Sequence, residues 1–318
     1  MKKRTNVVTG AAGFLGSNLV EELCRRGENV VGFDNLSRGK ASAKNLLEIQ
    51  TKANGFHLIV GNILDFERVK NVIRDGVDVV YHFAALPSHR LALNWPHDYT
   101  MTDLAGTANI LEAVRLCSHK PLVVFASSNK VYGKQECPWK EDKLPQPEGP
   151  YAVAKWASEK LCEMYNKYFD VPCVIPRYHH VAGPRSNPDL ALSIFVEGAL
   201  IKMPVEVHGK FVNKKFVSCS ADYTHVEDAI RATLLMVDKY KKFEIYNVAN
   251  KKLTSVLKMA EYVAKKLNPK LEIKKVKILD HETLKHHSNV SKAEKQLGFV
   301  ASIPVEKAID DYIEWRSV

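Results

Sequence analysis

Short β-branched runs alternate with helical stretches along the first half of the chain. Residue type and period predict strands at 6–9, 30–33, 57–60, 79–82, 123–126 and 173–175. Between them, apolar residues at helical spacing predict helices over 14–26, 107–117 and 152–169. Strands and helices that alternate in this way form a parallel sheet with right-handed crossovers. The pattern therefore predicts an α/β fold with a doubly wound parallel sheet.

The regular alternation ends after Gly183-Pro184, where longer helices and short strands follow. The 318 residues also exceed the size at which a single hydrophobic core is usual. We expect a first domain at 1–176 that carries the sheet. A smaller C-terminal lobe is expected to come mainly from 177–318, and some of its segments could return to the sheet. The stretch 138–150 holds four prolines and predicts a surface loop that leads into the next helix.

Three glycines follow the first predicted strand and open the first predicted helix. In GAAGFLG, Gly10 permits a tight turn, Gly13 lets the backbone approach a pyrophosphate, and Gly16 allows close helix packing. The spacing is GxxGxxG, and its strand–loop–helix context indicates a dinucleotide site at the helix N-terminus. Asp34 closes the second strand, where it can accept the ribose hydroxyls and repel a 2′-phosphate, which favours NAD over NADP. Arg38 leaves an alternative open, because its guanidinium could bind such a phosphate or stack on adenine.

Tyr151 and Lys155 stand four residues apart in YAVAK. On a helix, residues at i and i+4 project from one face, so an ammonium would lie near a phenol. Such a cation favours phenolate and draws a tyrosine pKa down from about 10 towards the range of a general base. The YxxxK spacing alone also occurs by chance in amphipathic helices. Together with the glycine loop, it indicates a nicotinamide oxidoreductase site.

Composition and charge argue against several classes of partner and indicate the cellular compartment. The net charge of +10 is spread along the chain, and the lysine-rich segments lack interleaved aromatic residues, so we expect a solvated basic surface and no nucleic-acid partner. No run approaches the ~20 apolar residues that span a bilayer, so we expect no membrane partner. The six cysteines form no CxxC pair, which predicts reduced, buried thiols in a cytoplasmic protein.

Two histidine pairs, His179-His180 and His286-His287, are candidates for metal ligands. Adjacent residues on a strand point to opposite faces, however, and neither an HExxH motif nor a carboxylate at a suitable spacing accompanies the pairs. We therefore predict no metal site.

Several segments together resemble one known family, the extended short-chain dehydrogenase/reductases that act on nucleotide sugars, typified by UDP-galactose 4-epimerase. The resemblance covers nearly the whole chain. It implies a Rossmann sheet that binds NAD, a C-terminal lobe that binds substrate, and a nucleotide sugar as the substrate. It rests on GAAGFLG at 10–16, FDNLSRG at 33–39, HFAAL at 82–86, FASSNKVYG at 125–133, YAVAK at 151–155, RYHHVAGPR at 177–185 and YIEW at 312–315.

The resemblance implies roles for individual residues. Ser128 would hydrogen-bond the reacting sugar oxygen, although a serine there could instead cap the end of a strand. Tyr151 would be the base, and Lys155 its electrostatic partner and a nicotinamide-ribose contact. Further NAD contacts are implied for Gly10, Gly13, Phe14, Leu15, Gly16, Asp34, Asn35, Arg38, Asn62, Ile63, Ala84, Ala85 and Tyr178. Substrate contacts are implied for Ser88, Asn129, Lys130, His180 and Arg185.

Departures from the family pattern bear on the reaction. Dehydratases of the family carry an Asp-Glu pair after the catalytic hydroxyl, and decarboxylases carry a Glu there. This chain has Asn129 and Lys130, neither of which can serve as that acid or base. The segment SSNKVYG is closer to the CDP-tyvelose epimerase branch, which inverts carbon 2. His180 and Ala221 stand where Asn and Arg commonly hold the substrate diphosphate, and Asp103 replaces a common Asn.

These features predict an NAD-dependent nucleotide-sugar epimerase that oxidises a ring hydroxyl, at carbon 4, to a transient ketone and reduces it again. A net dehydrogenase or ketoreductase that releases the keto sugar would use the same residues and stays open. A non-catalytic dinucleotide-sensing protein is a third alternative. The helices at 104–117 and 151–169 resemble family elements that pair two subunits, which implies a homodimer, although packing within one subunit explains the same pattern.

Overall fold

The chain folds into two compact units. The computed structural model describes residues 3–52, 55–278 and 283–317. The first unit comprises Met1–Gly133, Pro145–Arg177 and Ile230–Tyr246, and the second comprises Lys134–Leu144, Tyr178–Ala229 and Asn247–Val318. The first unit is therefore assembled from three separate stretches of sequence, one of which comes from the C-terminal half.

Strands and helices alternate in the first half of the chain and become less regular after Tyr178. The strands are β1 (Thr5–Thr9), β2 (Asn29–Asp34), β3 (Phe56–Val60), β4 (Val79–His82), β5 (Leu122–Phe125), β6 (Ser127–Ser128), β7 (Cys173–Tyr178), β8 (Val181–Ala182), β9 (Val205–Val212), β10 (Lys215–Ser218), β11 (Ser220–Ala221), β12 (Thr224–His225), β13 (Glu244–Val248), β14 (Thr254–Ser255), β15 (Ile273–Lys277) and β16 (Lys285–His286). The helices are α1 (Phe14–Arg25), α2 (Lys40–Lys52), α3 (Phe66–Val72), α4 (Pro96–Thr100), α5 (Gly106–Arg115), α6 (Gly149–Phe169), α7 (Ala191–Leu200), α8 (Val226–Asp238), α9 (Val256–Leu267), α10 (Ser291–Leu297) and α11 (Val305–Ser317). A π-helical turn at Met101–Ala105 joins α4 to α5.

One large sheet organises the first unit. Its strands follow the order β13-β7-β5-β4-β1-β2-β3, with β6 paired to β7. The pairs β1–β2, β2–β3, β1–β4, β4–β5 and β5–β7 are parallel. The chain runs outwards from β1 to β3 and then returns to β4 on the other side. The carboxyl ends of β1 and β4 are therefore the switch point at which such sheets bind ligands. The predicted doubly wound parallel sheet is confirmed.

The predicted elements of the first unit agree with the structure to within a few residues. The strand predicted at 173–175 continues to Tyr178, and the helix predicted from 152 begins at Gly149. Pro150 is accommodated in the first turn of α6, where a missing N–H breaks no helical hydrogen bond. The core packs Val80 and Val123 of the sheet against Leu111 of α5, all at most 1% exposed.

The six cysteines are free thiols. Three are buried, as predicted, and three are partly exposed, so the prediction that all pack in the interior is wrong for the second group. The buried group is Cys117, Cys162 and Cys173, and the partly exposed group is Cys24, Cys137 and Cys219.

The described part of the second unit contains the strands of three small sheets and the helices α7, α9, α10 and α11. A three-stranded sheet has the order β10-β9-β15, another has the order β14-β11-β16, and β12 pairs with β8. Its core includes Phe195 of α7, Val207 of β9, Val263 of α9 and Ile309 of α11, each at most 2% exposed. Across the described ranges of both units, every helix is too short or too polar to cross a membrane.

The proline-rich stretch at 138–150 is not wholly a surface loop, so that prediction is wrong in part. Trp139 is 1% exposed, although prolines surround it in the sequence. Its backbone N–H donates to the carbonyl of His287 at 2.9 Å, and its indole Nε1 donates to the carbonyl of Gln135 at 2.9 Å. Burial of this large aromatic side chain and its two hydrogen bonds hold Lys134–Leu144 in the second unit.

Candidate active site

The glycine loop forms a close turn between β1 and α1. Gly10 has φ +69°, a conformation that favours glycine, and its carbonyl accepts the N–H of Gly13 at 2.9 Å. A Cβ on Gly16 would lie 2.0 Å from the carbonyl oxygen of Gly10, so only glycine fits there. No side chain caps the start of α1, and no acidic residue lies in its first turn. The N–H groups at this helix start can therefore face an anion.

Asp34, at the end of β2, is hydrogen-bonded to the backbone of the glycine loop. Its Oδ2 accepts the N–H of Ala12 at 3.0 Å, and its Oδ1 accepts the N–H of Leu36 at 2.8 Å. Asn45 of α2 donates from Nδ2 to the carbonyl of Ala12 at 2.9 Å, so both polar backbone groups of that alanine are held. Each carboxylate oxygen of Asp34 keeps a further lone pair for a ribose hydroxyl.

Phe14 and Leu15 begin α1. Six more of the predicted NAD contacts lie at the same edge of the sheet. Each follows the carboxyl end of a strand: Asn35 and Arg38 after β2, Asn62 and Ile63 after β3, Ala84 and Ala85 after β4. Ile63 is 5% exposed and packs on Gly106, where a Cβ would lie 2.4 Å from the Ile63 Cδ1. The backbone of Ala84 lies directly against Gly10, since a Cβ on that glycine would be 2.7 Å from the Ala84 nitrogen.

A series of hydrogen bonds links β1, β4 and α5. Ala84 N–H donates to Thr9 Oγ1 at 3.1 Å, and Thr9 Oγ1 lies 2.8 Å from His82 Nδ1. His82 Nε2 lies 3.0 Å from Thr107 Oγ1, whose hydroxyl donates to the carbonyl of Asp103. Because the single hydroxyl proton of Thr107 is donated to that carbonyl, the Thr107 oxygen must accept the hydrogen bond from the Nε2–H of His82. His82 then accepts from Thr9 at Nδ1, which fixes one tautomer of the ring.

The ring of His82 must be neutral for this arrangement. Burial, followed by the positive charge of Lys155, lowers the pKa of His82 to about 3. The imidazole therefore stays uncharged at neutral pH and holds two hydroxyls in place. Sequence reasoning did not select this residue, although a histidine that closes a buried strand beside the predicted site was an available signal.

Ser128 ends β6 and caps the short turn at Asn129–Tyr132. Its Oγ accepts the N–H of Lys130 at 3.2 Å and donates to Asn129 Oδ1 at 3.4 Å. The capping role considered for this serine is therefore real. Capping occupies a lone pair of the serine oxygen and not its proton, which is donated to Asn129 at the long end of the hydrogen-bond range.

Tyr151 and Lys155 lie on one face of α6, as their spacing predicts. Lys155 is 3% exposed, and its Nζ lies 5.8 Å from the centroid of the Tyr151 ring and 5.1 Å from that of Phe125. The Tyr151 ring is flanked edge-on by His89 and Tyr99, with ring centroids 6.5 and 6.4 Å away. The fixed ring positions leave the phenol half-buried beside a buried ammonium. This arrangement can hold a proton acceptor and a cation together.

Three predicted substrate contacts lie in the first unit. Ser88 caps a short turn, since its Oγ accepts the N–H of Leu91 at 3.2 Å and its own N–H donates to the hydroxyl of Tyr99. Asn129 is 3% exposed and Lys130 is half-buried, and both follow Ser128 directly.

The remaining predicted contacts, Tyr178, His180 and Arg185, lie in the second unit. His180 and Arg185 have φ values of +37° and +67°, and Arg185 is 5% exposed. The His180 ring centroid lies 4.9 Å from that of His286 and 5.5 Å from that of Tyr223. Left-handed backbone at two non-glycine residues so close in sequence is uncommon and is typical of functional sites.

One histidine of each pair lies beside a buried aspartate of the second unit. His179 Nδ1 lies 3.5 Å from Asp222 Oδ1, and His287 Nδ1 lies 3.7 Å from Asp222 Oδ2. Burial raises and His179 lowers the pKa of Asp222, and the lowering dominates. The assumption that each pair lies on a strand is wrong, because β7 ends at Tyr178 and β16 ends at His286.

Possible metal ligands converge elsewhere in the described part of the chain, at His225, Glu227 and Asp311. Both ring nitrogens of His225 and the carboxylate of Asp311 already have partners. His225 Nδ1 accepts the N–H of Glu227 at 3.1 Å, Nε2 lies 3.1 Å from Asp311, and Lys307 pairs with the same carboxylate. We therefore assign no metal to this group.

Comparisons with known proteins agree with the fold and with the chemistry of the site. The family model described as "NAD dependent epimerase/dehydratase family" matches residues 6–249. The chain is 32% identical over 263 residues to the uncharacterized UDP-glucose epimerase YtcB of Bacillus subtilis, with 81% of this chain and 80% of that protein aligned. It is 28% identical over 337 residues to UDP-glucuronate 4-epimerase 5 of Arabidopsis thaliana, with 98% and 75% aligned.

Among solved structures, the UDP-glucuronic acid 4-epimerase of Bacillus cereus in complex with UDP-glucuronic acid and NAD is similar over 98% of this chain and 99% of that one. The TM-score is 0.88 at 27% sequence identity. The Rossmann-type fold expected from the sequence is confirmed by this similarity.

Proposed function

We propose, since this chain belongs to the NAD-dependent epimerase/dehydratase family, that it is an NAD-dependent epimerase acting on carbon 4 of a nucleotide-activated sugar. The observation that carries the proposal is the placement of Tyr151 beside the buried Lys155 on α6, in the unit that also holds the glycine loop. A phenol, an ammonium and an oriented hydroxyl are the groups that alcohol oxidation by a nicotinamide requires.

The glycine loop fits a dinucleotide. A Cβ at Gly10 or Gly16 would meet backbone atoms, so the loop keeps its surface free of side chains, and the uncapped start of α1 suits a pyrophosphate. We assign the adenine ribose to Asp34, which supports NAD as the cofactor. NAD, when bound, takes up a hydride from the sugar and returns it.

In the proposed reaction, Tyr151 as phenolate removes the proton of the sugar hydroxyl while the ring carbon is oxidised to a ketone. Ser128 donates a hydrogen bond to the reacting oxygen, and Lys155 stabilises the phenolate. Tyr151 then returns the proton when the ketone is reduced from the opposite face. Asn129 and Lys130 follow Ser128 in place of carboxylates, which leaves no acid or base at these positions for elimination of water across carbons 5 and 6.

The substrate class follows from the named relatives, which are epimerases of UDP-glucose and UDP-glucuronate. We propose a UDP-hexose or UDP-hexuronate as the substrate, with Ser88, Asn129 and Lys130 of the first unit as its contacts there. Ala221 stands where an arginine commonly holds the substrate diphosphate. A charge-assisted contact of this kind is worth about 1.5–3 kcal/mol, so we assign it to another residue. The buried Arg185 is our candidate.

We further propose a cytoplasmic homodimer. Six free thiols suit a reducing compartment. Helices α5 and α6 pack on each other and leave apolar side chains exposed nearby, among them Leu116 (48%), Val153 (48%) and Tyr168 (65%). Exposed apolar groups on a helix pair suit a second copy of the same surface. Light scattering after gel filtration should give twice the chain mass, and Val153→Glu should shift it to the monomer.

The experiment that tests the function is incubation of the purified protein with UDP, GDP, CDP and dTDP sugars, with products identified by NMR. We expect one UDP sugar to reach equilibrium with its carbon-4 epimer without added cofactor. Accumulation of NADH together with a keto sugar would replace the proposal by a net dehydrogenase. Inversion at carbon 2 of a CDP sugar would show that the enzyme acts on carbon 2 and not on carbon 4.

A further inference from the structure

Asp103 is a buried carboxylate beside the proposed base. Its side chain is 0% exposed, and it lies in the π-helical turn at Met101–Ala105. Oδ1 accepts the N–H of Leu86 at 3.0 Å. Oδ2 lies 3.7 Å from Lys155 Nζ, within ion-pair range, and makes no hydrogen bond among the described residues. A charged oxygen buried without a hydrogen bond is costly, so its retention beside an ammonium indicates an electrostatic role.

The other ionisable groups near Lys155 do not neutralise it. His82 is uncharged. Glu159, one turn further along α6, pairs with Arg177 at 2.7 Å, so its charge is already balanced. The phenol of Tyr151 is neutral until it loses its proton. Asp103 is therefore the carboxylate that faces this ammonium.

We propose that Asp103 is a positioning residue that holds the Lys155 ammonium in place and offsets part of its charge, and thereby sets the pH at which Tyr151 becomes a base. The inference rests on the proposed function in one respect, the role of Tyr151. An ammonium alone stabilises phenolate strongly. A carboxylate on its other side weakens that effect, so the phenolate forms at a higher pH than it would beside an unpaired lysine.

Burial also acts on Asp103 itself. Burial raises and the charge of Lys155 lowers the pKa of Asp103, and the net change is a rise. Loss of a proton at Tyr151 places a second negative charge beside the same ammonium, so the two acids compete for one cation and titrate as a coupled pair.

The test is Asp103→Asn, which keeps the shape and the oxygen that accepts from Leu86 but removes the charge. We expect the phenolate of Tyr151 to form about 1 pH unit lower than in the wild type. The measurement is the ultraviolet difference titration of tyrosinate, taken between each protein and its Tyr151→Phe counterpart. The acidic limb of the kcat/KM profile should move in the same direction.

The matched control is Asp78→Asn, a partly buried aspartate before β4, at the opposite end of that strand from the site. It removes the same charge from the same unit, and we expect no displacement of the Tyr151 transition. An unmoved transition in Asp103→Asn, with changes confined to thermal stability or NAD content, would reduce Asp103 to a structural residue. If Asp103→Asn does not fold, Asp103→Ser provides a smaller neutral variant with the same expected shift.

Failure of this inference is distinguishable from failure of the proposed function. Full turnover in Tyr151→Phe would remove the proposed base, whatever Asp103 does. Loss of turnover in Tyr151→Phe, combined with an unmoved titration in Asp103→Asn, would overturn the role of Asp103 alone.

Discussion

Arg177, near the end of β7, forms a two-pronged ion pair with Glu159 of α6, and both side chains are 2% exposed. Arg177 donates from Nε to Glu159 Oε1 at 2.9 Å and from Nη2 to Oε2 at 2.7 Å. Ser127 of β6 also donates to Oε1. Glu159 lies one helical turn after Lys155, which itself lies one turn after Tyr151. The pair therefore fixes the helix that presents the proposed catalytic residues to the strands beside it.

We expect Glu159→Gln to lower the free energy of unfolding by about 3–5 kcal/mol, because it leaves a buried guanidinium without its counter-charge. The first transition of urea-induced unfolding measures this. Glu163→Gln, on the same helix, breaks the exposed pair with Lys160 and should cost no more than about 0.5 kcal/mol. A loss below 1 kcal/mol in Glu159→Gln would contradict the anchoring role.

Gly16→Ala should abolish retention of the dinucleotide. The added Cβ would collide with the carbonyl oxygen of Gly10, and backbone must move to admit it. Overpacking of this kind costs about 1–3 kcal/mol or more. We expect the denatured wild-type protein to release NAD(H) and the variant to release little. NADP(H) in the wild-type extract would overturn the role given to Asp34.

Gly39→Ala is the control for the glycine loop. Gly39 has φ +55°, but a Cβ there would meet no atom within 4 Å. The substitution adds backbone strain of about 1 kcal/mol without filling any space, so NAD(H) content should stay near that of the wild type. Equal loss of bound NAD(H) in Gly16→Ala and Gly39→Ala would mean that general destabilisation, and not the shape of the glycine loop, determines how much cofactor is retained.

Tyr151→Phe should reduce turnover by a factor on the order of 10² to 10⁴, the usual effect of losing a general base, with little change in stability. Lys155→Met should reduce turnover and also weaken NAD binding, since the lysine is assigned a contact with the nicotinamide ribose. Initial rates on the identified sugar and the content of bound NAD(H) separate the two effects. Wild-type turnover in the phenylalanine variant would mean that another residue is the base.

Turnover in D₂O should leave the ring carbons of the sugar without deuterium. The proposed cycle returns the hydride that it removed, and the proton of Tyr151 exchanges with oxygen alone. A dehydratase must take a solvent proton during elimination, so it would label carbon 5 or carbon 6. NMR of the product after many turnovers decides between an epimerase and a dehydratase. A product lighter than the substrate by the mass of one water would support the dehydratase.

Much of the first unit and its chemistry could be predicted from the sequence, because the signals are local. Strand period, the GAAGFLG loop and the i, i+4 spacing of Tyr151 and Lys155 each depend on a few neighbouring residues. The family, the α/β fold and the NAD-dependent epimerase reaction expected from these motifs are confirmed by the comparisons. Residue roles beyond the matched motifs remain predictions.

Features that depend on distant residues were decided by the tertiary structure. The return of Ile230–Tyr246 to the first unit, the burial of Trp139 and the approach of His179 and His287 to Asp222 join segments that lie far apart in the sequence. The pairing of Glu159 with Arg177 and of Asp103 with Lys155 has no signature in either segment alone. Periodicity records which face of an element is apolar, whereas the partner of a buried charge is set by how elements pack, and only the folded chain brings these groups together.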